Sequence, residues 1–146
     1  KIWFEGELDD RNWVWDFGGM KRAKGTIDGM SPKAWMDHMF DHTFIVAEDD
    51  PFLESFKRMD EAGAAQIRII PATGVEKFAE YIYNKLSPFI LEETEGRVKI
   101  VQVEFREHGK NSAMFTSYDD KIENTIQSFQ AISKSGEWGF INQSEK

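Results

Sequence analysis

The strand signal V-K-I-V-Q-V-E-F-R-E, running from Val98 to Glu107, closes on an acid whose place in the alternation is unusual. In its second half Val103, Phe105 and Glu107 fall on one face, while Glu104 and Arg106 fall on the other. A carboxylate at the end of an apolar strand face needs a partner, because burying it unpaired costs several kcal/mol. A basic side chain can be that partner, and so can a ligand that presents paired N–H donors to the two carboxylate oxygens. The plainer alternative is a strand that has reached the surface by Glu107.

Few other residues carry chemistry on type and spacing alone. Lys21, Arg22 and Lys24 in M-K-R-A-K-G form the densest basic cluster and could neutralise a small anion, although a solvated helix end explains them more simply. His38, on a helix face, and His108, in a turn, stand alone and do not make a metal-ligand pattern. The sequence contains no cysteine, which removes disulfides, thiolate ligands and a thiol nucleophile from these residues.

The elements that would position such groups follow one another without linkers, repeats or low-complexity tracts. Ile2, Phe4 and Gly6 alternate with Trp3 and Glu5; a turn at D-D-R-N and a return through N-W-V-W then predict a hairpin. Asp16 to Gly19 ends that strand, with Asp16 expected in a structural role. Ser31-Pro32 is a helix start, Ser as N-cap and Pro at the first helical position, with Ala34, Trp35, His38 and Met39 on the inner face. A strand at Thr43 to Val46 precedes an acidic turn and a helix with Phe52, Leu53, Phe56 and Met59 on its apolar face. Ile67 and Ile69 mark a short strand.

A helix is expected to begin at Thr73, with Glu76 completing a T-x-x-E capping box, and to be closed by Pro88. Its inner face is Val75, Phe78, Ala79, Ile82 and Leu86. After the long strand to Glu107, H-G-K-N-S makes a turn into a strand near Ala113 to Tyr118. Ile122, Ile126, Phe129 and Ile132 repeat at helical spacing and predict a C-terminal helix and polar tail over 119–146. The pattern as a whole implies an α+β fold built on an antiparallel sheet covered on one face, and Trp3, Trp13 and Trp15 suggest sheet surface buried in an oligomer.

Composition sets the frame for these elements. The 146 residues suit one domain that buries about 70% of its unfolded surface. Hydrophobic content of 40% and aromatic content of 14% argue against disorder despite 30% charged residues. No run approaches the ~20 apolar residues of a membrane helix, so a soluble chain without membrane contact is expected. The net charge of -8 argues against broad nucleic-acid binding.

Four segments, in order, are similar to those of one family. They are W-V-W-D-F-G-G-M-K from Trp13, F-D-H-T from Phe40, P-A-T-G-V-E-K-F-A-E-Y-I from Pro71, and V-E-F-R-E-H-G-K-N-S-A-M-F from Val103. On these segments, residues 1–118 resemble the 6-pyruvoyltetrahydropterin synthase and 6-carboxytetrahydropterin synthase group. The resemblance implies a tunnelling fold (T-fold), a four-stranded antiparallel sheet with two helices on one face. Such subunits assemble into an oligomeric barrel, so a homo-oligomer, trimer or hexamer, is expected as partner. It further implies a cytoplasmic lyase that acts on a small-molecule pterin triphosphate, 7,8-dihydroneopterin triphosphate. The expected product is a 6-substituted tetrahydropterin, with the carboxy product of the queuosine route favoured over the pyruvoyl one.

Residue by residue, the resemblance places Glu107 on the family's pterin-anchoring glutamate, whose two oxygens can accept from a ring N–H and an amine. Asp41 and His42 fall on its catalytic Asp-His pair, in which a carboxylate fixes the tautomer of an imidazole that titrates near neutrality. Without the resemblance they read as a helix-end histidine beside a turn-forming aspartate. Glu76 falls on an acid bordering the pterin pocket, a role that competes with helix capping; Gly74 and Val75 replace small and hydroxyl residues there. The family's zinc is held by three histidines and accompanied by a cysteine, all preceding the segment that matches Lys1 to Gly6. Zinc is therefore expected from a segment before Lys1, and this chain reads as a fragment that lacks it. A noncatalytic pterin- or purine-binding protein on the same fold is the alternative. Dihydroneopterin aldolase and GTP cyclohydrolase relatives use other residue sets.

Overall fold

The computed structural model describes residues 1–22, 27–109, 111–117 and 128–133. They divide into two compact units, one of Lys1–Asp16 with Val75 onward, the other of Phe17–Gly74.

The first unit contains a sheet of strands β1 (Ile2–Gly6), β4 (Val98–His108), β5 (Asn111–Thr116) and β6 (Ser128–Ser133), in the order β1-β4-β5-β6, all neighbours antiparallel. Helix α3 (Val75–Glu93) packs on β4 and β5. Its buried stripe, Ala79, Ile82, Leu86, Phe89 and Ile90, meets Val98, Ile100, Val103, Ala113 and Phe115. The ring pairs Phe78–Phe105 and Tyr83–Phe115, with centroids 5.0 and 4.7 Å apart, join helix to sheet.

The alternation along β4 changes phase. Opposite it, the β1 register jumps from Trp3↔Gln102 to Phe4↔Ile100, so Val101 is an extra residue in the ladder. Before this bulge the even-numbered Val98 and Ile100 are buried; after it Val103 takes the inner face. Gly6 pairs with Val98 so closely that a Cβ on it would lie 2.6 Å from the Arg97 carbonyl oxygen.

Four expectations are corrected here. The Trp13–Trp15 return is not a strand. Asp9 closes that turn through its own side chain, Oδ1 accepting from the Arg11 and Trp13 amides at 2.9 Å. Arg97 then takes the Val14 carbonyl at 2.8 Å, so a guanidinium satisfies the backbone that a ladder would otherwise satisfy. Pro88 does not close α3, which runs on to Glu93. A helical proline costs about 3 kcal/mol, whereas burying Phe89 and Ile90 beyond it gains about 1.5–3 kcal/mol each. Helix α3 also starts at Val75, two residues after the expected cap. Gly74 precedes it at φ 115°, a backbone setting open to glycine, so the T-x-x-E spacing is out of register for a capping box. Finally, Phe129 and Ile132, expected on a helix, lie in β6, whose ladder with β5 runs from Thr116↔Ser128 to Asn111↔Ser133. Ile122 and Ile126 lie outside the described residues.

The second unit holds α1 (Pro32–Phe40), β2 (Phe44–Ala47), α2 (Leu53–Glu61) and β3 (Ile67–Ile70). Helix α1 begins as the sequence predicts: Ser31 is the N-cap, its hydroxyl accepting from the Ala34 amide at 3.3 Å, with Pro32 following. Trp35 is fully buried and its indole N–H reaches the Asp28 carboxylate at 3.2 Å. Strands β2 and β3 pair in parallel, in register from Phe44↔Ile67 to Ala47↔Ile70, with α2 as the crossover. This parallel pair departs from the wholly antiparallel expectation. Helix α2 buries no residue; Phe56 stacks on Phe44 at 5.3 Å, and Phe52 and Met59 are exposed.

Candidate functional site

Helix α1 ends at Phe40, with Asp41 as its C-cap, φ -97° and ψ 118°, its amide still bonded to the Asp37 carbonyl at 2.9 Å. His42 follows in the left-handed region at φ 55°. That position after a helix usually belongs to glycine, and a non-glycine residue there stores strain of order 1 kcal/mol. The turn throws both side chains outward: His42 is 92% exposed, Asp41 69%, and His42 Nε2 lies 3.7 Å from Asp41 Oδ1. Neighbours in sequence are thus brought together in space, at a separation that is electrostatic contact rather than a hydrogen bond.

The carbonyls left by the ended helix are satisfied by side chains. Thr43 Oγ1 donates to the Met39 carbonyl at 2.6 Å, and Arg68 Nε from β3 donates to the His38 carbonyl at 2.7 Å. His38, expected on the inner helix face with Ala34, is exposed like Ala34, and its Nδ1 lies 3.2 Å from Arg68 Nη2. Trp35 and Met39 alone of that expected face are buried.

In the other unit, Glu107 is exposed, which corrects the inward-facing reading. The β4–β5 register passes from Arg106↔Ser112 to His108↔Asn111, leaving Glu107 at a second bulge outside one-to-one pairing. Bulges at strand ends re-aim side chains, and here the acid leaves the face of Val103 and Phe105. Glu76 sits half-buried in the first turn of α3, where an acid is favoured by the helix dipole. Phe78 and Phe105, each two residues away from one of these acids, are in ring contact, so Glu76 and Glu107 occupy the same end of this unit.

The carboxylate that is buried in β4 is Glu104, 6% exposed, which the alternation had set on the outer face. Arg106 Nε donates to its Oε1 at 2.7 Å and Lys1 Nζ lies 3.2 Å from its Oε2. Burial pushes this carboxyl up, but hydrogen bonds from Arg106, Lys1 and Ser112 outweigh it and hold the group below its ordinary value. Its signal was legible in V-E-F-R: opposite charges two apart on a strand share a face. Arg68, also missed, shows in I-R-I-I as a lone cation in an apolar strand.

Of the basic cluster, Lys21 and Arg22 are exposed and Lys24 lies outside the described residues. Among the described residues no group of three His, Cys, Asp or Glu side chains could hold a metal ion, so they do not fit the expected zinc. No described helix is long and apolar enough to cross a membrane.

Comparison with known proteins gives one match: a family model described as 6-pyruvoyl tetrahydropterin synthase covers residues 1–118. No curated protein and no solved structure matches the chain.

Proposed function

The chain belongs to the 6-pyruvoyl tetrahydropterin synthase family, and from that membership we propose that it is a pterin synthase subunit with the Asp41–His42 turn as its acid–base element. The substrate in this reading is 7,8-dihydroneopterin triphosphate, and the product a 6-substituted tetrahydropterin, the 6-carboxy compound favoured, released with loss of triphosphate. Subunits of this family type act in oligomers, trimer or hexamer, which would bring Glu107 of one copy toward a pocket on another. The described residues offer zinc no ligand set, so the proposal assigns roles only to side chains.

The observation that carries it is the conformation of His42. This exposed imidazole is held at positive φ, where glycine would be relaxed, and strain of this kind clusters at functional positions. Asp41 Oδ1, 3.7 Å from its Nε2, puts a carboxylate beside an imidazole, the pairing that acid–base steps use. Glu107, freed from the ladder by its bulge, can offer both oxygens to the N–H edge of a pterin. Glu76, at the same end of its unit, would border that ring.

The test uses His42→Gly and Glu107→Gln in the full-length protein. Glycine relaxes the backbone, so His42→Gly is expected to fold at least as stably as the wild type while turnover drops about 10²–10⁴-fold. Glu107→Gln is expected to weaken pterin binding by roughly 10–100-fold, the loss of a charge-assisted hydrogen bond. Unchanged turnover in His42→Gly would overturn the acid–base role. Pterin binding without turnover in the wild type would favour the noncatalytic binding protein instead.

A further inference from the structure

In a continuing α-helix the amide of residue 42 would bond to the carbonyl of residue 38, and that of residue 43 to residue 39. Here side chains serve both carbonyls instead: Arg68 Nε donates to His38 O at 2.7 Å and Thr43 Oγ1 to Met39 O at 2.6 Å. Side chains thus satisfy the two carbonyls that the ended helix leaves without a backbone donor. Ending the helix at Asp41 is what allows His42 to turn into the left-handed region.

We propose that Arg68 is the positioning residue of the Asp41–His42 pair, acting by capping the His38 carbonyl so that the helix can end before His42 without leaving that carbonyl unsatisfied. This rests on the acid–base reading of that pair. The guanidinium is itself oriented from β3, with Nη1 donating to the Ile67 carbonyl at 3.0 Å and Nη2 to Gln66 Oε1 at 3.3 Å. Its remaining contact is Nη2 to His38 Nδ1 at 3.2 Å; a guanidinium has no acceptor, so the imidazole lone pair must receive. A planar fork fits this multiple grip, whereas an ammonium gathers its three donors on one nitrogen and cannot span acceptors so far apart. Strand β2 begins two residues after His42, and its first amide, Phe44 N, bonds to the Gln66 carbonyl at 2.8 Å. The turn is thus fastened to β3 on both sides, by the Arg68 side chain before it and the Gln66 backbone after it.

The experiment compares Arg68→Gln and Arg68→Lys in the full-length protein by two readouts. Arg68→Gln is expected to lower kcat on 7,8-dihydroneopterin triphosphate about tenfold to a hundredfold with KM little changed, the effect of a displaced catalytic group. The His42 amide, free to pair with the released His38 carbonyl, is expected to exchange with solvent deuterium about tenfold more slowly, the worth of one hydrogen bond. Arg68→Lys, which can still reach His38 O, should recover part of both, and it carries the same readouts if the glutamine variant does not fold. An unchanged His42 exchange rate or an unchanged kcat in Arg68→Gln overturns the proposal. If His42→Gly abolishes turnover and Arg68→Gln does not, only this inference falls; if His42→Gly retains turnover, the acid–base reading falls, while amide exchange still decides whether Arg68 holds the helix end.

Discussion

The two units differ in how they spend their apolar residues. In the sheet unit, α3 sets a continuous stripe against β4 and β5, and Leu86, Ile90, Val98 and Ile100 have no exposure at all. In the other, Trp35, Val46, Ile67 and Ile70 are buried, yet α2 buries nothing, and Phe44, Phe52, Met59 and Ile69 remain open. What side chains do not seal there, polar clamps hold: Ser31 at the start of α1, Thr43 and Arg68 at its end, Asp28 on Trp35. The comparison teaches that the turn bearing Asp41 and His42 sits where backbone is held by specific hydrogen bonds rather than by bulk packing. Such regions lie toward the low end of local stability, which is where functional loops are commonly found.

The largest way to break this contrast is at its centre of mass in the second unit. Trp35→Ala should cost about 3–5 kcal/mol in urea unfolding, because this indole is the largest fully buried side chain. A cost below about 1 kcal/mol would mean the unit does not depend on it. In the sheet unit Leu86→Ala is expected to cost about 2–5 kcal/mol, spread over a larger core.

Next comes Glu104, the buried charge of the sheet. Arg106→Met should cost about 1–3 kcal/mol by leaving that carboxylate short of a partner. The pH dependence has a definite sign: a carboxyl whose folded value is depressed contributes stability above its unfolded value, about 4.3, and loses it as pH falls through the folded value. The wild type should therefore exceed Glu104→Gln in stability at pH 7 by more than it does at pH 3, and a gap that widens in acid would contradict the pairing. The smallest effect is expected at Phe52, 66% exposed, where Phe52→Ser should lie within about 0.5 kcal/mol of the wild type. A cost comparable to that of Leu86→Ala would show that α2 is sealed after all.

Much of the fold was legible along the chain. Ser31-Pro32 started a helix because hydroxyl capping and a fixed φ act within four residues. The apolar stripe of α3 and the span of β4 were readable for the same local reason. The errors share a cause: Pro88, Trp13–Trp15 and Phe129 with Ile132 were each assigned from local propensity and then overruled by partners distant in sequence. At the candidate site, Asp41 and His42 were visible as a pair, but their exposure, the positive φ and the grip of Arg68 were not. Glu107 and Glu104 exchanged environments because a bulge is a property of two paired strands.

By itself, then, the sequence determined where α1 begins, which residues are apolar enough to form a core, and which titratable side chains neighbour one another. Tertiary structure alone decided which carboxylate is buried, where α1 stops, and which way His42 points. The physical reason is range: caps and periodicity act over a few residues, whereas ladder register and the capture of a helix carbonyl by Arg68 depend on groups that only folding brings within hydrogen-bond distance.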